Sequence, residues 1–302
     1  MGLEAKNNPF DWKHLRVYGG RLRGMLDRRG WRRGSPNCFF MHLPKCGGTS
    51  VARSLVSVVP LHRRVGEINL FTRHAVSIVI ADQNSGTLYH EDGPGCPALF
   101  EFREALLLYY MASDAALVFG HVLFSEKAYG HFGDSYRFIT VMREPVSRLV
   151  SNYHASAMAN CDFKTYLRSD TARRHALVFL RYFSGVADVS PGQERSLLPI
   201  AHRNMGRFAL IGFLDRLNEF TRGFRDLFGV EPKAYYENVN PLPKIEITAD
   251  IRREVEKLCA PDLELYEAAR SGTQSMASAG VFTEALRDHS QTIDVPGLWR
   301  TT

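Results

Sequence analysis

The segment Phe39-Phe40-Met41-His42-Leu43-Pro44-Lys45-Cys46-Gly47-Gly48-Thr49-Ser50 constrains the fold more than any other part of the chain. It is an apolar run that stops at Pro, Lys and two glycines, then continues as Thr-Ser and the amphipathic Val51-Ala52-Arg53-Ser54-Leu55-Val56. That order reads as strand, tight loop, helix. A turn of this kind aims backbone N–H groups and a helix N-terminus at one point, which suits an anion. Lys45 adds a full positive charge, and Thr49 and Ser50 bring hydroxyls to the first helical turn. The alternative is a tight strand-to-helix turn with no ligand.

The loop departs from the nucleotide-binding pattern Gly-x-x-x-x-Gly-Lys-Ser/Thr, in which lysine directly precedes the hydroxyl residue. Here Lys45 comes before the glycines, four positions from Thr49. A loop this short fits one phosphate group, not a triphosphate with its metal.

A second unit of the same type follows. Tyr136-Arg137-Phe138-Ile139-Thr140-Val141-Met142 is β-rich and apolar, and Arg143-Glu144-Pro145-Val146-Ser147-Arg148-Leu149-Val150-Ser151 comes directly after it. Pro145 suits the first position of a helix, where its missing N–H costs nothing. Arg143 then falls at the carboxyl end of a strand, where open α/β sheets bind ligands. Ser151 lies on the same side of the helix as Ser147. An Arg fork and a serine hydroxyl can share a phosphate. The alternative makes Arg143 and Glu144 surface charges and Ser151 a neutral helix residue.

Together these motifs resemble the two cofactor signatures of sulfotransferases that use 3′-phosphoadenosine 5′-phosphosulfate, in particular the carbohydrate branch that includes heparan sulfate 2-O-sulfotransferase. The likeness extends to Phe119-Gly120-His121-Val122-x-Phe124, more loosely to Ala209–Leu217, and ends with Pro261-Asp262-Leu263-Glu264-Leu265-Tyr266. It spans about residues 38 to 268, with only the first two motifs specific. The resemblance implies that Lys45, Cys46, Gly47, Gly48, Thr49 and Ser50 hold the 5′-phosphosulfate end, with Cys46 where other members carry other small or polar residues. It implies that Arg143 and Ser151 hold the 3′-phosphate, that no metal takes part, and that 3′-phosphoadenosine 5′-phosphate is the product. The acceptor it implies is a saccharide or other small hydroxyl compound.

Sulfuryl transfer needs a base for the acceptor hydroxyl and positive charge for the leaving oxygen. Lys45 and the helix N–H groups suit the second task. Histidine suits the first, and of the 11 in the chain His121 follows the run Ala115–Gly120, at another strand end. In the enzymes resembled, the histidine of this segment is the proposed base. His42 is the second candidate, with its facing open. His154 reads as a helix-surface residue, and Glu91, Glu101 and Glu104 are lesser candidates. Two other classes stay open: a kinase or other phosphoryl transferase, and a nucleotide- or glycan-binding module without turnover.

Alternating β and α units imply a parallel sheet with helices on both faces. The expected fold is α/β and P-loop-like, with a helical C-terminal part. The expected organisation is a basic N-terminal extension (1–36), an α/β domain (37–270) and a C-terminal tail (271–302). Residues 61–98 read as irregular, with Arg63, Arg64, Arg73 and His74 assigned to acceptor recognition. A helix is expected near 99–112, helices over 145–206, a last strand at 208–212, a helix over 215–228, a loop at Asn238–Pro241 and helices from about 248 to 270.

The 302 residues, 45% hydrophobic with 19 Phe, suffice for a large core. No apolar run reaches the ~18 residues of a membrane helix, and charges interrupt the first 20 residues, so no leader is expected. Five scattered cysteines without Cys-x-x-Cys spacing suggest reduced thiols and a cytoplasmic setting. The net charge of +6 equals the excess of residues 1–36, which hold nine Lys and Arg against Glu4, Asp11 and Asp27. That arm reads as a solvated extension, or one packed on its own protein, in preference to a nucleic-acid or membrane contact. No nucleic-acid-binding motif accompanies it.

Overall fold

The structure, a computed structural model, describes residue 31 and residues 34–69, 71–81, 96–156, 161–233 and 247–279. The order of elements is β1 (Asn37–Met41), α1 (Gly48–Val58), β2 (Val65–Ile68), α2 (Phe71–Ala81), α3 (Cys96–Ala112), β3 (Leu117–Gly120), α4 (Glu126–Phe132), β4 (Tyr136–Met142) and α5 (Pro145–Ala155). Then come α6 (Phe163–Leu167), α7 (Asp170–Ala176), α8 (Val178–Ser184), α9 (Glu194–Met205) and β5 (Leu210–Phe213). A single 3-10 turn (Leu214–Arg216) leads into α10 (Leu217–Phe228), followed by α11 (Ala249–Leu258) and α12 (Ala260–Ala279).

The five strands form one all-parallel sheet in the order β2-β3-β1-β4-β5. All five β1 residues are buried, which explains its unbroken apolar run between two neighbours and two helical layers. Its side chains alternate between the layers. Phe39 and Met41 join Val118, Phe138 and Phe213 against α3, α8, α9 and α12. Cys38 and Phe40 join Leu117, Ile139 and Leu210 against α1 and α10. Trp31 is buried on this second face, its ring 5.0 Å from that of Phe228 and 5.7 Å from that of Phe224. The described part of the N-terminal extension therefore packs on the core; the rest of it lies outside the described residues.

Two expectations need correction. The stretch 61–98 is not uniformly irregular: it holds edge strand β2, helix α2 and the start of α3. β2 is four residues long and follows two arginines, and the β-branched Val76-Ser77-Ile78-Val79-Ile80 of α2 has weak helical preference. Neither leaves a clear periodicity. The tail expected from 271 begins as the last turns of α12, which runs to Ala279. The other expected helices and strands lie within a few residues of their places, while the loop at 238–241 falls outside the described residues.

A third apolar cluster joins α5 to α6, α7 and α11 through Leu149, Tyr153, Tyr166, Ala172 and Val255. Beneath it, Asp262 is fully buried and accepts from Arg148 Nη2 at 3.0 Å and from the amides of Phe179 (2.8 Å) and Leu180 (2.9 Å). α8 has no cap from its own N-cap side chain, so a carboxylate remote in sequence satisfies its first-turn donors. Arg148 also donates to the carbonyl of His175 at 2.7 Å. Burial pushes the Asp262 carboxyl up to about 6, against the pull of Arg148 and the two amides. Asp262→Ala is expected to cost about 3–5 kcal/mol in urea unfolding, because it leaves a buried guanidinium uncompensated, and Arg148→Met with Asp262→Leu is expected to cost less than Asp262→Ala.

Candidate functional site

Chain direction around β1 decides where a ligand can sit. From β1 the chain passes to β2 and β3 on one side, then to β4 and β5 on the other. The loops leaving β1, β3 and β4 therefore meet at one carboxyl edge, beside the switch in strand order. They carry Lys45, His121 and Arg143 respectively.

After β1, the His42 amide still donates to the Gly120 carbonyl at 2.9 Å. The chain then turns through Lys45 at φ 62° and Gly47 at φ 74°. Gly47 adopts its left-handed conformation without a side-chain penalty, whereas a lysine held there carries strain of about 1–3 kcal/mol. Gly47 is the N-cap of α1; it supplies no side-chain cap, and no acidic residue stands in the first turn. The positive end of the helix is therefore open to an external acceptor. Thr49 is exposed and Ser50 half-buried at that end. Cys46 points the other way. Its side chain is buried in the core with Sγ 3.5 Å from the Pro44 carbonyl, and burial pushes the thiol up to about 12 despite nearby Arg148 and Arg143. Its thiol therefore stays protonated and supports the loop from below, contributing no charge to it.

From β4, Arg143 reaches across and donates through Nη1 to the Lys45 carbonyl at 3.3 Å. Both cations are partly desolvated. Burial lowers the Lys45 ammonium, with Arg143 adding to the effect, and burial with the Arg148 charge lowers Arg143. Among the described residues neither charge meets a carboxylate within ion-pair distance. Glu144 is adjacent but committed as the N-cap of α5, accepting from Val146 N (3.0 Å), Ser147 N (2.8 Å) and Ser147 Oγ (2.6 Å), with Pro145 in the first turn. Ser151 lies two turns along α5 from Glu144 and is half-buried.

Arg143 also borders a cleft of about 480 Å³ that runs past Ser147 and Leu214 to Tyr266 and Arg270. Leu214 ties this cleft to the loop, since a Cβ at Gly47 would lie 2.6 Å from its Cδ1. Arg270 is pinned there by Asp215 (3.0 and 3.1 Å to Oδ2) and by the Tyr266 hydroxyl (2.6 Å). Sequence reasoning gave Asp215, Tyr266 and Arg270 no role. They come from the 3-10 turn after β5 and from α12, remote in sequence from β4; Asp215 and Tyr266 fall in the looser stretches of the likeness, which attached no role to them.

From β3, His121 directs Nδ1 to the His42 carbonyl at 2.7 Å. The His121 and His42 rings are stacked, 4.2 Å between centroids. The His121 carbonyl accepts from Nη1 of the fully buried Arg103 at 3.0 Å, and Arg103 Nε donates to Thr72 Oγ1 at 3.0 Å. The facing of His42, open in the sequence, is thus toward α1 and His121. Burial, with the His121 charge adding, holds His42 well below the ordinary histidine value.

The lesser candidates fall away from this centre. Glu104 is engaged by Ser125 Oγ (2.7 Å) and Lys127 (3.2 Å) on the outside of α3, Glu101 is exposed there, and His154 stands in the last turn of α5. Glu91 lies outside the described residues. Arg63 is corrected: it donates to Asn37 Oδ1 at 2.7 Å, at the amino end of β1, on the edge opposite the site. Arg64 precedes β2 on that same edge, and only Arg73 and His74, in α2, follow a strand's carboxyl end.

Cys38, Cys46, Cys161 and Cys259 are free. Among the described residues no helix is long and apolar enough to cross a membrane. No group of three or more His, Cys, Asp or Glu among them is placed to hold a metal ion. Comparison of the sequence with protein-family models and with curated proteins finds no match to either.

Two outcomes follow from the packing around His42. A Cβ on Gly48 would lie 1.9 Å from His42 Cδ2. Gly48→Ala is therefore expected to lower the thermal midpoint strongly, and Gly48→Ala with His42→Ala to fall short of the sum of the single losses. The second concerns acid. The unfolded chain protonates a histidine near pH ~6.5, while folded His42 resists until well below that. Acid then favours the unfolded state, so the contribution of His42 is present above ~6.5 and shrinks below it. Asp262 acts in the opposite sense, since its raised value makes the folded state the better proton acceptor as pH falls through about 6. The test is thus a difference: between pH 7 and 5 the midpoint of the native chain should fall more than that of His42→Phe.

Proposed function

We propose that the chain is a sulfotransferase that moves a sulfuryl group from 3′-phosphoadenosine 5′-phosphosulfate to an acceptor hydroxyl, on a carbohydrate or a comparable small alcohol. One observation carries the reading: Arg143 Nη1 donates to the Lys45 main-chain carbonyl at 3.3 Å, at the sheet edge that also holds His121, and among the described residues neither the guanidinium nor the Lys45 ammonium has a carboxylate within ion-pair distance. Burial disfavours both charged forms, and Arg143 further disfavours that of Lys45, so a bound anion would offset both costs. A donor with phosphate groups at both ends is such an anion.

The residues present fit it. Lys45 and the open N-terminus of α1, with the Thr49 and Ser50 hydroxyls, would hold the phosphosulfate. Arg143 and Ser151 would hold the 3′-phosphate. When bound, the donor supplies the sulfuryl group and a phosphate oxygen that departs with the electrons of the broken S–O bond. Lys45 and the first-turn amides stabilise that charge.

His121 is suited to take the proton. A carbonyl oxygen only accepts, so the contact with the His42 carbonyl assigns the ring hydrogen to Nδ1 and leaves the lone pair on Nε2. Nε2 then receives the proton from the acceptor hydroxyl as its oxygen bonds to sulfur.

Titration calorimetry with 3′-phosphoadenosine 5′-phosphate is expected to show binding without added magnesium. Arg143→Ala should weaken it about 10- to 100-fold, the equivalent of one charged hydrogen-bond partner. His121→Ala should leave that binding intact while transfer to a saccharide acceptor drops about 10²- to 10⁴-fold. Binding of magnesium ATP in preference, with turnover, would instead favour a phosphoryl transferase.

A further inference from the structure

We propose that the His42 side chain is a positioning residue for His121: a flat spacer that fixes the ring of the base at a set distance from the anion loop. The inference rests on the reading of His121 as base. It concerns a side chain that touches neither donor nor acceptor in that reading.

Three contacts hold the His42 ring. Its lower edge lies along the strand from Phe40, the two rings 5.9 Å apart and nearly parallel at 15°. Gly48, in the first turn of α1, stands against the ring: a Cβ there would lie 2.1 Å from His42 Nε2 and 1.9 Å from Cδ2. His121 stacks on the ring, 4.2 Å away at 27°. The chain has thus given up a side chain at the anion loop to make room for this ring. The His42 ring is thereby in contact with both the first turn of α1 and the ring of the base.

The His42 main chain and side chain act on different freedoms of His121. The carbonyl takes the Nδ1 hydrogen at 2.7 Å. That contact opposes rotation about χ2, a broad torsion in histidine, but with only one hydrogen bond. A flat face at stacking distance removes the swing, so the Nδ1 contact persists and Nε2 keeps one direction. Displacements of about 1 Å at a reacting group can cost roughly 100-fold in rate, which is the scale on which such a spacer matters. A purely space-filling role makes a different demand: any side chain of similar volume would serve.

The test uses the full chain with ¹⁵N-labelled histidine and reads the two ring nitrogens of His121 in long-range proton–nitrogen spectra at alkaline pH, where the rings are neutral. His121→Gln identifies the signals. The native chain and His42→Phe, which keeps a flat face, should both show hydrogen on Nδ1 alone. His42→Leu, which keeps volume without a plane, and His42→Ala should show both tautomers in exchange. In the transfer assay His42→Phe should stay close to native, and His42→Leu should lose about 10- to 100-fold in kcat with donor KM unchanged. Two results overturn the proposal: a single Nδ1–H form of His121 retained in His42→Leu, or hydrogen on Nε2 in the native chain. Should His42→Ala not fold, His42→Leu against His42→Phe decides alone. An absence of transfer in the native chain would count against the sulfotransferase reading, while the spectra would still decide whether His42 positions the ring.

Discussion

The contact on which the site depends is the reach of Arg143 to the Lys45 carbonyl. It sets two positive groups against one loop, each with its charge partly stripped of water. Such a pairing opposes folding, and the surrounding structure has to hold it. The sheet does so: β1 and β4 pair along Asn37–Met41, and buried Thr140 adds a side-chain bond to the Met41 carbonyl at 2.7 Å. The separation of the loops is thus fixed one residue before they diverge. Glu144, the carboxylate best placed in sequence to neutralise Arg143, is spent on the amides of α5. Its charge still favours the Arg143 guanidinium, while its oxygens are directed at the helix end and not into an ion pair.

α5 needs its own support, because Arg143, Glu144 and Ser151 all take their positions from it. That support is buried and ionic. Arg148 projects from α5 into the helical layer and meets Asp262, which simultaneously caps α8. A carboxylate with three donors in a dry site withstands its own desolvation better than one with a single partner. One residue of α12 thus fixes α5 and α8, and the same helix closes the cleft beside Arg143 with Tyr266 and Arg270. The C-terminal helix belongs to the site through this route.

What could be read from the sequence was whatever the backbone encodes locally. Lys45, Gly47 and Gly48 stood out because a left-handed turn before a helix leaves a glycine signature, and Pro145 marked the start of α5. His121 stood out by ending an apolar run. The strand at β2 and the helix at α2 did not, being short or rich in β-branched residues, and Arg63 was misplaced because nothing local tells which end of a strand a loop serves. Asp215, Tyr266 and Arg270 depend on β5 and α12 meeting beside β4, which only the assembled sheet reveals. Cys46 shows the limit within a motif: its place in the loop was legible, its inward direction was not.

The two sides of His121 are built from different materials. Toward α1 lie a glycine loop, an open helix end and a lysine, a surface that reads negative charge and little else. Away from it, the His121 carbonyl is held by Arg103, which also grips Thr72 at the start of α2. Arg103 is fully buried against Phe100, so one side chain ties β3, α2 and α3 together. The outer face of α2 presents Phe71 and Ile78, 74% and 76% exposed. The flank of His121 toward α2 thus combines exposed apolar side chains with Arg73, while Lys45 and Arg143 stand on the flank toward α1.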